Sequence, residues 1–121
     1  MRRAGLGPIE RLISATGDSL SGLRAAWQTE QALRYELYAL LVVIPVAWWL
    51  GKDGIERALL IGSCLLVVVV ELLNSAIETV VDRISDEYHE LSGRAKDIGS
   101  AAVLCSILLA GVVWLVVLIY R

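Results

Sequence analysis

Phenylalanine is missing altogether from the 121 residues, and histidine occurs once, at His89. Cysteine occurs twice, as Cys64 and Cys105, each inside an apolar run and neither in a Cys-x-x-Cys or Cys/His spacing. That usage argues against a structural metal site or a disulfide framework and for small packing residues in helices. No Gly-x-x-x-x-Gly-Lys-[Ser/Thr] loop occurs, nor a kinase Gly-rich loop, His-Arg-Asp or Asp-Phe-Gly, so the common phosphate-binding signatures are absent. A net charge of −2 with no basic run leaves no footprint for nucleic acid. Met1-Arg-Arg is followed by a mixed segment and not by an apolar core of about 7–15 residues, so no cleavable signal peptide is expected.

What is present in excess is apolar residues. At 57% hydrophobic and a mean hydropathy of +0.67, the chain is too apolar for a soluble domain of this length. A single small membrane domain is expected, with no room for a separate soluble catalytic module. Residues 8–28 read as an amphipathic helix started by Pro8, with Ile9, Leu12, Ile13, Thr16, Leu20, Leu23 and Trp27 on one face. Glu10, Arg11, Ser14, Asp18, Ser21 and Arg24 take the other face. Such a helix lies in the plane of a membrane interface. Three spans follow, at about 30–50, 58–81 and 99–120, with a cytoplasmic loop over 82–98. Pro45 is tolerable inside the first span, and Gly51-Lys-Asp-Gly54 reads as a tight turn. Trp48, Trp49 and Tyr120 stand where apolar segments end, as interfacial anchors do. Gly99, Ser100, Ala101, Ala102, Ser106, Ala110 and Gly111 suit the third span to close helix packing.

The second span carries an anomaly. Glu71, Asn74, Ser75, Glu78 and Asp82 fall on one face of an otherwise apolar helix, a polar stripe running roughly 16 Å from membrane depth to water. A carboxylate in hydrocarbon costs several kcal/mol, so Glu71 with Asn74 and Glu78 marks a functional site, whereas Asp82 reads as the helix leaving the bilayer. Eight of the 11 basic residues flank the N-terminal side and the 82–98 segment (Arg2, Arg3, Arg11, Arg24, Arg34, Arg83, Arg94, Lys96), against Lys52, Arg57 and Arg121. The N-terminus and that segment are therefore expected in the cytoplasm, with the stripe, at the face where ATP is available.

Glu30, Glu78 and Asp97 are hard oxygen donors near one interface, a set suited to Mg²⁺ whose remaining ligands are phosphate oxygens and waters. Glu71 suits a general base, Arg94 and Lys96 balance phosphate charge, and the ensemble fits phosphoryl transfer. Ser92-Gly93-Arg94 is a short candidate anion nest. The lone His89 reads as a surface or nucleotide contact.

Several motifs together carry a resemblance. Glu71-Leu-Leu-Asn-Ser-Ala-Ile-Glu78, Val81-Asp-Arg-Ile84, Glu87-Tyr-His-Glu-Leu-Ser-Gly-Arg-Ala-Lys-Asp97, and Gly22-Leu-Arg-Ala-Ala-Trp27 with Glu30 resemble the bacterial integral-membrane diacylglycerol kinases over nearly the whole chain. The resemblance implies an all-α membrane protein, a homotrimer of protomers with a surface helix and three transmembrane helices. It implies transfer of the γ-phosphate of MgATP to the primary hydroxyl of diacylglycerol, giving phosphatidic acid, in the bacterial inner membrane. By the same resemblance Glu71 is the general base, Asn74 orders the site, and Glu30 and Glu78 hold Mg²⁺. Arg11, Glu30, Glu78, Glu87, Tyr88, His89, Lys96 and Asp97 contact the nucleotide. Lipid contacts fall to Arg11, Leu23, Arg24, Ala25, Ala26, Trp27, Glu36, Trp48, Trp49, Glu71, Ser100 and Trp114.

Three positions depart from the family pattern. Asp18 stands where its best-known members carry a nucleotide-contacting Tyr, Thr16 replaces Ala and Tyr35 replaces Gln. Two further readings stay open at this point: an undecaprenol kinase, as in related small membrane kinases of Gram-positive bacteria, and a non-enzymatic oligomeric ion channel built on buried carboxylates.

Overall fold

The computed structural model describes residues 4–121, so Arg2 and Arg3 of the charge argument lie outside the described residues. Its regular structure is four helices, α1 (Pro8–Thr29), α2 (Gln31–Leu50), α3 (Gly54–Ile84) and α4 (Glu90–Tyr120). Three of them, α2 to α4, are long and apolar enough to cross a membrane, with mean hydropathies of 1.4, 2.2 and 2.9. This is an all-helical membrane protein.

Local chemistry sets the helix ends. Pro8 opens α1, where a missing N–H costs nothing, and the Gly7 N–H donates to Glu10 Oε2 at 3.2 Å. Glu30 separates α1 from α2. Its backbone is extended at φ −112° and ψ 102°, yet its N–H still donates to the Ala26 carbonyl at 2.8 Å. The single non-helical residue bends the chain where Glu30 is placed. Pro45 sits within α2, which continues through it. At the Gly51 turn a Cβ would meet Arg57 N at 3.1 Å and Ala47 O at 3.2 Å, as well as the Arg57 side chain, so the close approach requires glycine. Asp53 then caps α3, its Oδ1 accepting from Glu56 N at 2.8 Å.

The segment expected as a loop over 82–98 is mostly helix. α3 continues to Ile84 and α4 begins at Glu90, leaving only residues 85–89 between them. The physical reason lies in the caps: His89 Nδ1 accepts from Leu91 N at 3.1 Å, and Glu90 pairs with Arg94 one turn on at 3.6 Å. Polarity changes near Gly99, but the helix does not. At about 1.5 Å per residue, 31-residue α3 and α4 are each about 46 Å long against a hydrocarbon core of about 30 Å, so both project into water.

Burial is inverted relative to a water-soluble protein. The buried side chains comprise four apolar residues, Leu33, Ala47, Leu60 and Val81, and five polar ones, Ser63, Glu71, Asn74, Ser75 and Ser106. Large apolar groups face outward instead, Leu41 at 73% exposure and Trp49 at 82% among them, as a hydrocarbon solvent allows. α3 packs along α4 and more briefly on α2. Trp114 Nε1–H donates to the Leu60 carbonyl at 3.1 Å, tying α4 to α3 in the half away from the 85–89 turn. α1 is held chiefly at its C-terminal end, where Trp27 meets Tyr38 edge-on at 5.6 Å and Arg34 Nη1 donates to the Trp27 carbonyl at 3.3 Å. No residue of α1 is buried, and Ile9, Leu12, Ile13, Leu20 and Leu23 are all exposed.

Candidate active site

Glu71, Asn74 and Ser75 are buried side by side on α3, at 8%, 7% and 7% exposure. Helical periodicity gathers them on the face turned to α2 and α4. Asn74 Nδ2 donates to Glu78 Oε1 at 3.2 Å, one turn along. That bond orients one carboxylate oxygen of Glu78 and leaves the other free for a further partner. Asn74 Oδ1 is buried, accepts no hydrogen bond, and lies against Gly99 of α4. Glu30, Glu36 and Glu78 all lie near enough to Glu71 for their charges to interact with it. Three further carboxylates thus lie within electrostatic reach of one buried acid.

Among the described residues no group of three or more His, Cys, Asp or Glu side chains could by itself enclose an ion. Asp97 accordingly does not join Glu30 and Glu78 as a third donor. It is exposed, and lines a surface hollow with Tyr88, Glu90, Arg94 and Ile98. A pair of carboxylates still fits Mg²⁺, which keeps several waters and takes its remaining oxygens from phosphates.

Two other hollows flank the carboxylates. One, of about 480 Å³, opens between α1 and α3 and is almost wholly apolar, lined by Leu23, Ala25, Ala26, Glu30, Leu72 and Ser75 among others. Gly22 borders open space there, since a Cβ added to it would meet nothing within 4 Å. The second, of about 300 Å³, lies at the aqueous end and is lined by Asp82, Glu87, Tyr88, His89 and Lys96 together with Ser92 and Gly93. There Lys96 Nζ lies 2.6 Å from Asp82 Oδ1. Hydrogen bonding to Asp82 holds the Lys96 ammonium above the usual lysine range. His89 accepts through Nδ1, so when neutral it carries its proton on Nε2.

The structure thus gathers Glu30, Glu36, Glu71, Asn74 and Glu78 in one cluster. It brings Glu87, Tyr88, His89 and Lys96 into one hollow, and Leu23, Ala25 and Ala26 with Glu30 into another. Arg11 is exposed, its Nε donating to the Leu6 carbonyl at 3.0 Å, and lines neither hollow. Arg24 and Trp27 are exposed on α1, Asp18 is partly buried there, and Ser100 is exposed on α4 next to Gly99. Trp48 and Trp49 end α2 at the opposite membrane face, where Arg57 stacks 4.5 Å from the Trp48 ring centre. Trp114 lies in that same half. Glu36 has one buried, unpartnered oxygen and lines a fourth, apolar hollow of about 150 Å³ with Leu40, Val43 and Cys64. Sequence reasoning gave Asp82 no partner and Gly99 no specific neighbour. A glycine at the end of a polar stretch was the visible signal for the second.

Comparison with known sequences decides the family. The Prokaryotic diacylglycerol kinase family model matches residues 17–118. A diacylglycerol kinase of Escherichia coli K12 is 58% identical over 108 residues, 89% of this chain and 88% of the relative. Those of Haemophilus influenzae and Pseudomonas aeruginosa are 51% identical over 106 residues and 48% over 111, covering 88% and 92% of this chain and 90% of each relative. The chain belongs to the prokaryotic diacylglycerol kinase family. The family match takes in the second half of α1, all of α2 and α3 and nearly all of α4. Every residue of the carboxylate cluster and both flanking hollows falls within it. Arg11 lies outside.

Proposed function

We propose that this diacylglycerol kinase family member transfers the γ-phosphoryl group of ATP to the primary hydroxyl of diacylglycerol, releasing ADP and phosphatidic acid. The observation that carries the reading is the buried Glu71 among Glu30, Asn74 and Glu78, with an apolar hollow on one side and a polar hollow toward water. The lipid alcohol enters through the hollow between α1 and α3, its chains in hydrocarbon, its hydroxyl directed to Glu71. The nucleotide occupies the aqueous end, where Lys96 supplies positive charge and Glu87, Tyr88 and His89 supply polar contacts.

Glu71 accepts the hydroxyl proton as the lipid oxygen bonds to the γ-phosphorus. The bond from that phosphorus to the β,γ-bridging oxygen breaks, and its electron pair leaves with ADP. Glu30 and Glu78 would hold Mg²⁺, which would supply positive charge to offset that of the nucleotide phosphates. Asn74 fixes the Glu78 carboxylate for that task. The buried position of Glu71 excludes bulk water as a competing acceptor. The family resemblance assigns Asp97 and Arg11 to nucleotide contacts, with Asp18 at the position of the family's nucleotide-contacting Tyr, and Arg11, Arg24, Trp27, Glu36, Trp48, Trp49, Ser100 and Trp114 to lipid contacts. By the family resemblance the working unit is a homotrimer in the bacterial inner membrane with α1 on the cytoplasmic surface; one protomer by itself leaves its site open along α1.

The test is Mg²⁺-dependent phosphate transfer from labelled ATP in mixed micelles, with diacylglycerol and undecaprenol compared side by side. Faster turnover of diacylglycerol is expected. Preference for undecaprenol keeps the chemistry and replaces the substrate. Transfer to neither lipid refutes the kinase reading and favours a channel.

A further inference from the structure

We infer that Gly99 is a positioning residue for the proposed metal site, acting through the Asn74 amide on the Glu78 carboxylate. The inference rests on the kinase reading above. Asn74 has two ends. Nδ2 donates to Glu78 Oε1 at 3.2 Å, and this fixes which end of the amide is which. Oδ1 is buried, without a hydrogen-bond donor, and packs on Gly99, which is itself buried where α4 crosses α3.

A Cβ placed on Gly99 would overlap Oδ1 and come within 3.3 Å of Asn74 Cγ. The hydrogen that the Cβ would replace therefore points at Oδ1, giving the orphan carbonyl a Cα–H···O contact. Only glycine supplies it. With any larger residue the amide has to rotate, which withdraws Nδ2 from Glu78, or the helices have to part, which removes the contact on Oδ1 that holds the amide in place. Neighbouring glycines carry no such duty, since a Cβ at Gly62 or Gly111 meets nothing within 4 Å. Partners that orient metal-ligating carboxylates typically alter metal affinity or activity roughly 10–100-fold when removed. Gly99 belongs to that supporting layer, one residue further out than Asn74.

The experiment compares the full-length wild type with Gly99→Ala, Gly111→Ala, Asn74→Ala and the double Asn74→Ala/Gly99→Ala variant. Three readouts are taken in the same micelles: Mn²⁺ binding by electron paramagnetic resonance with a non-hydrolysable ATP analogue, the Asn74 side-chain amide signal by NMR, and kinase turnover. Gly99→Ala is expected to shift the Asn74 amide signal, weaken Mn²⁺ about 10–100-fold and lower turnover by a similar factor. Gly111→Ala is expected to match wild type. The double variant should be no worse than Asn74→Ala alone, because the alanine at 99 then has nothing to displace. The double variant also covers a failure of Gly99→Ala to fold, since it removes the overlap. Wild-type Mn²⁺ affinity in folded Gly99→Ala, or a further loss in the double variant, overturns the inference. Wild type inactive toward diacylglycerol and undecaprenol overturns the kinase reading itself, a separate outcome.

Discussion

Replacing Glu71 with Gln removes a proton acceptor while keeping the size of the side chain and its capacity to hydrogen-bond. The site is 8% exposed, so the variant opens no cavity. Any loss of rate then reports chemistry, provided the fold is kept. General-base catalysis by a positioned group contributes about 10²–10⁴-fold. At about 1.36 kcal/mol per tenfold, that is about 2.7–5.4 kcal/mol of barrier. The expected result is a fall in kcat of at least a hundredfold, with the KM for ATP moved little because the substitution leaves the aqueous hollow untouched. Turnover is measured at saturating ATP and diacylglycerol, with helical content by circular dichroism and assembly by size-exclusion chromatography. A fall of kcat and kcat/KM by the same factor indicates an interaction made only in the transition state. Full activity in a correctly assembled Glu71→Gln protein refutes the base role. It would send the search to Glu36, whose charge interacts with Glu71.

Other positions give narrower tests. Asn74→Asp preserves shape but sets a second carboxylate where Nδ2 now donates to Glu78 at 3.2 Å; metal-dependent activity should fall roughly 10–100-fold, seen as a higher Mg²⁺ requirement in a titration. Lys96→Met should raise the KM for ATP, whereas Asp82→Asn, which loses only an exposed ion pair of 2.6 Å, should leave kcat near wild type; initial-rate kinetics separate the two. Trp114→Phe deletes the 3.1 Å bond to the Leu60 carbonyl and should cost about 0.5–1.5 kcal/mol of stability, read as a lowered thermal midpoint.

The spans were legible because hydrocarbon burial demands long apolar runs, and α2, α3 and α4 each supply one. The polar stripe was legible because α3 is regular: five polar positions at helical spacing stand out against Leu and Val. Helix ends followed a different rule. The start of α4 is set by the His89 cap and the Glu90–Arg94 pair, while hydropathy shifts only near Gly99. Reading a loop over 82–98 confused the edge of the membrane with the edge of the helix. The contact of Gly99 with Asn74 and the bond from Trp114 to Leu60 depend on how α3 and α4 cross, which no one-dimensional pattern records.

The position of the cluster follows from the same physics that makes it expensive. Carboxylates at the bilayer centre would stay unsolvated, and carboxylates fully in water could not meet a lipid hydroxyl. Glu71, Asn74 and Glu78 occupy successive turns between those limits on a helix that continues to Ile84. Glu30 reaches the same level from the break between α1 and α2, where an extended residue can sit without ending either helix in hydrocarbon. Each acid is tolerated by a neighbour: Glu78 by the Asn74 amide, Glu30 by its place at the bend. Glu36 keeps one buried oxygen without a partner, and Glu71, at 8% exposure, makes none of the hydrogen bonds described; a carboxylate at this depth without a partner is costly to keep unless it serves a purpose. In the proposed mechanism Glu71 gains a partner only during the reaction, the proton of the substrate hydroxyl.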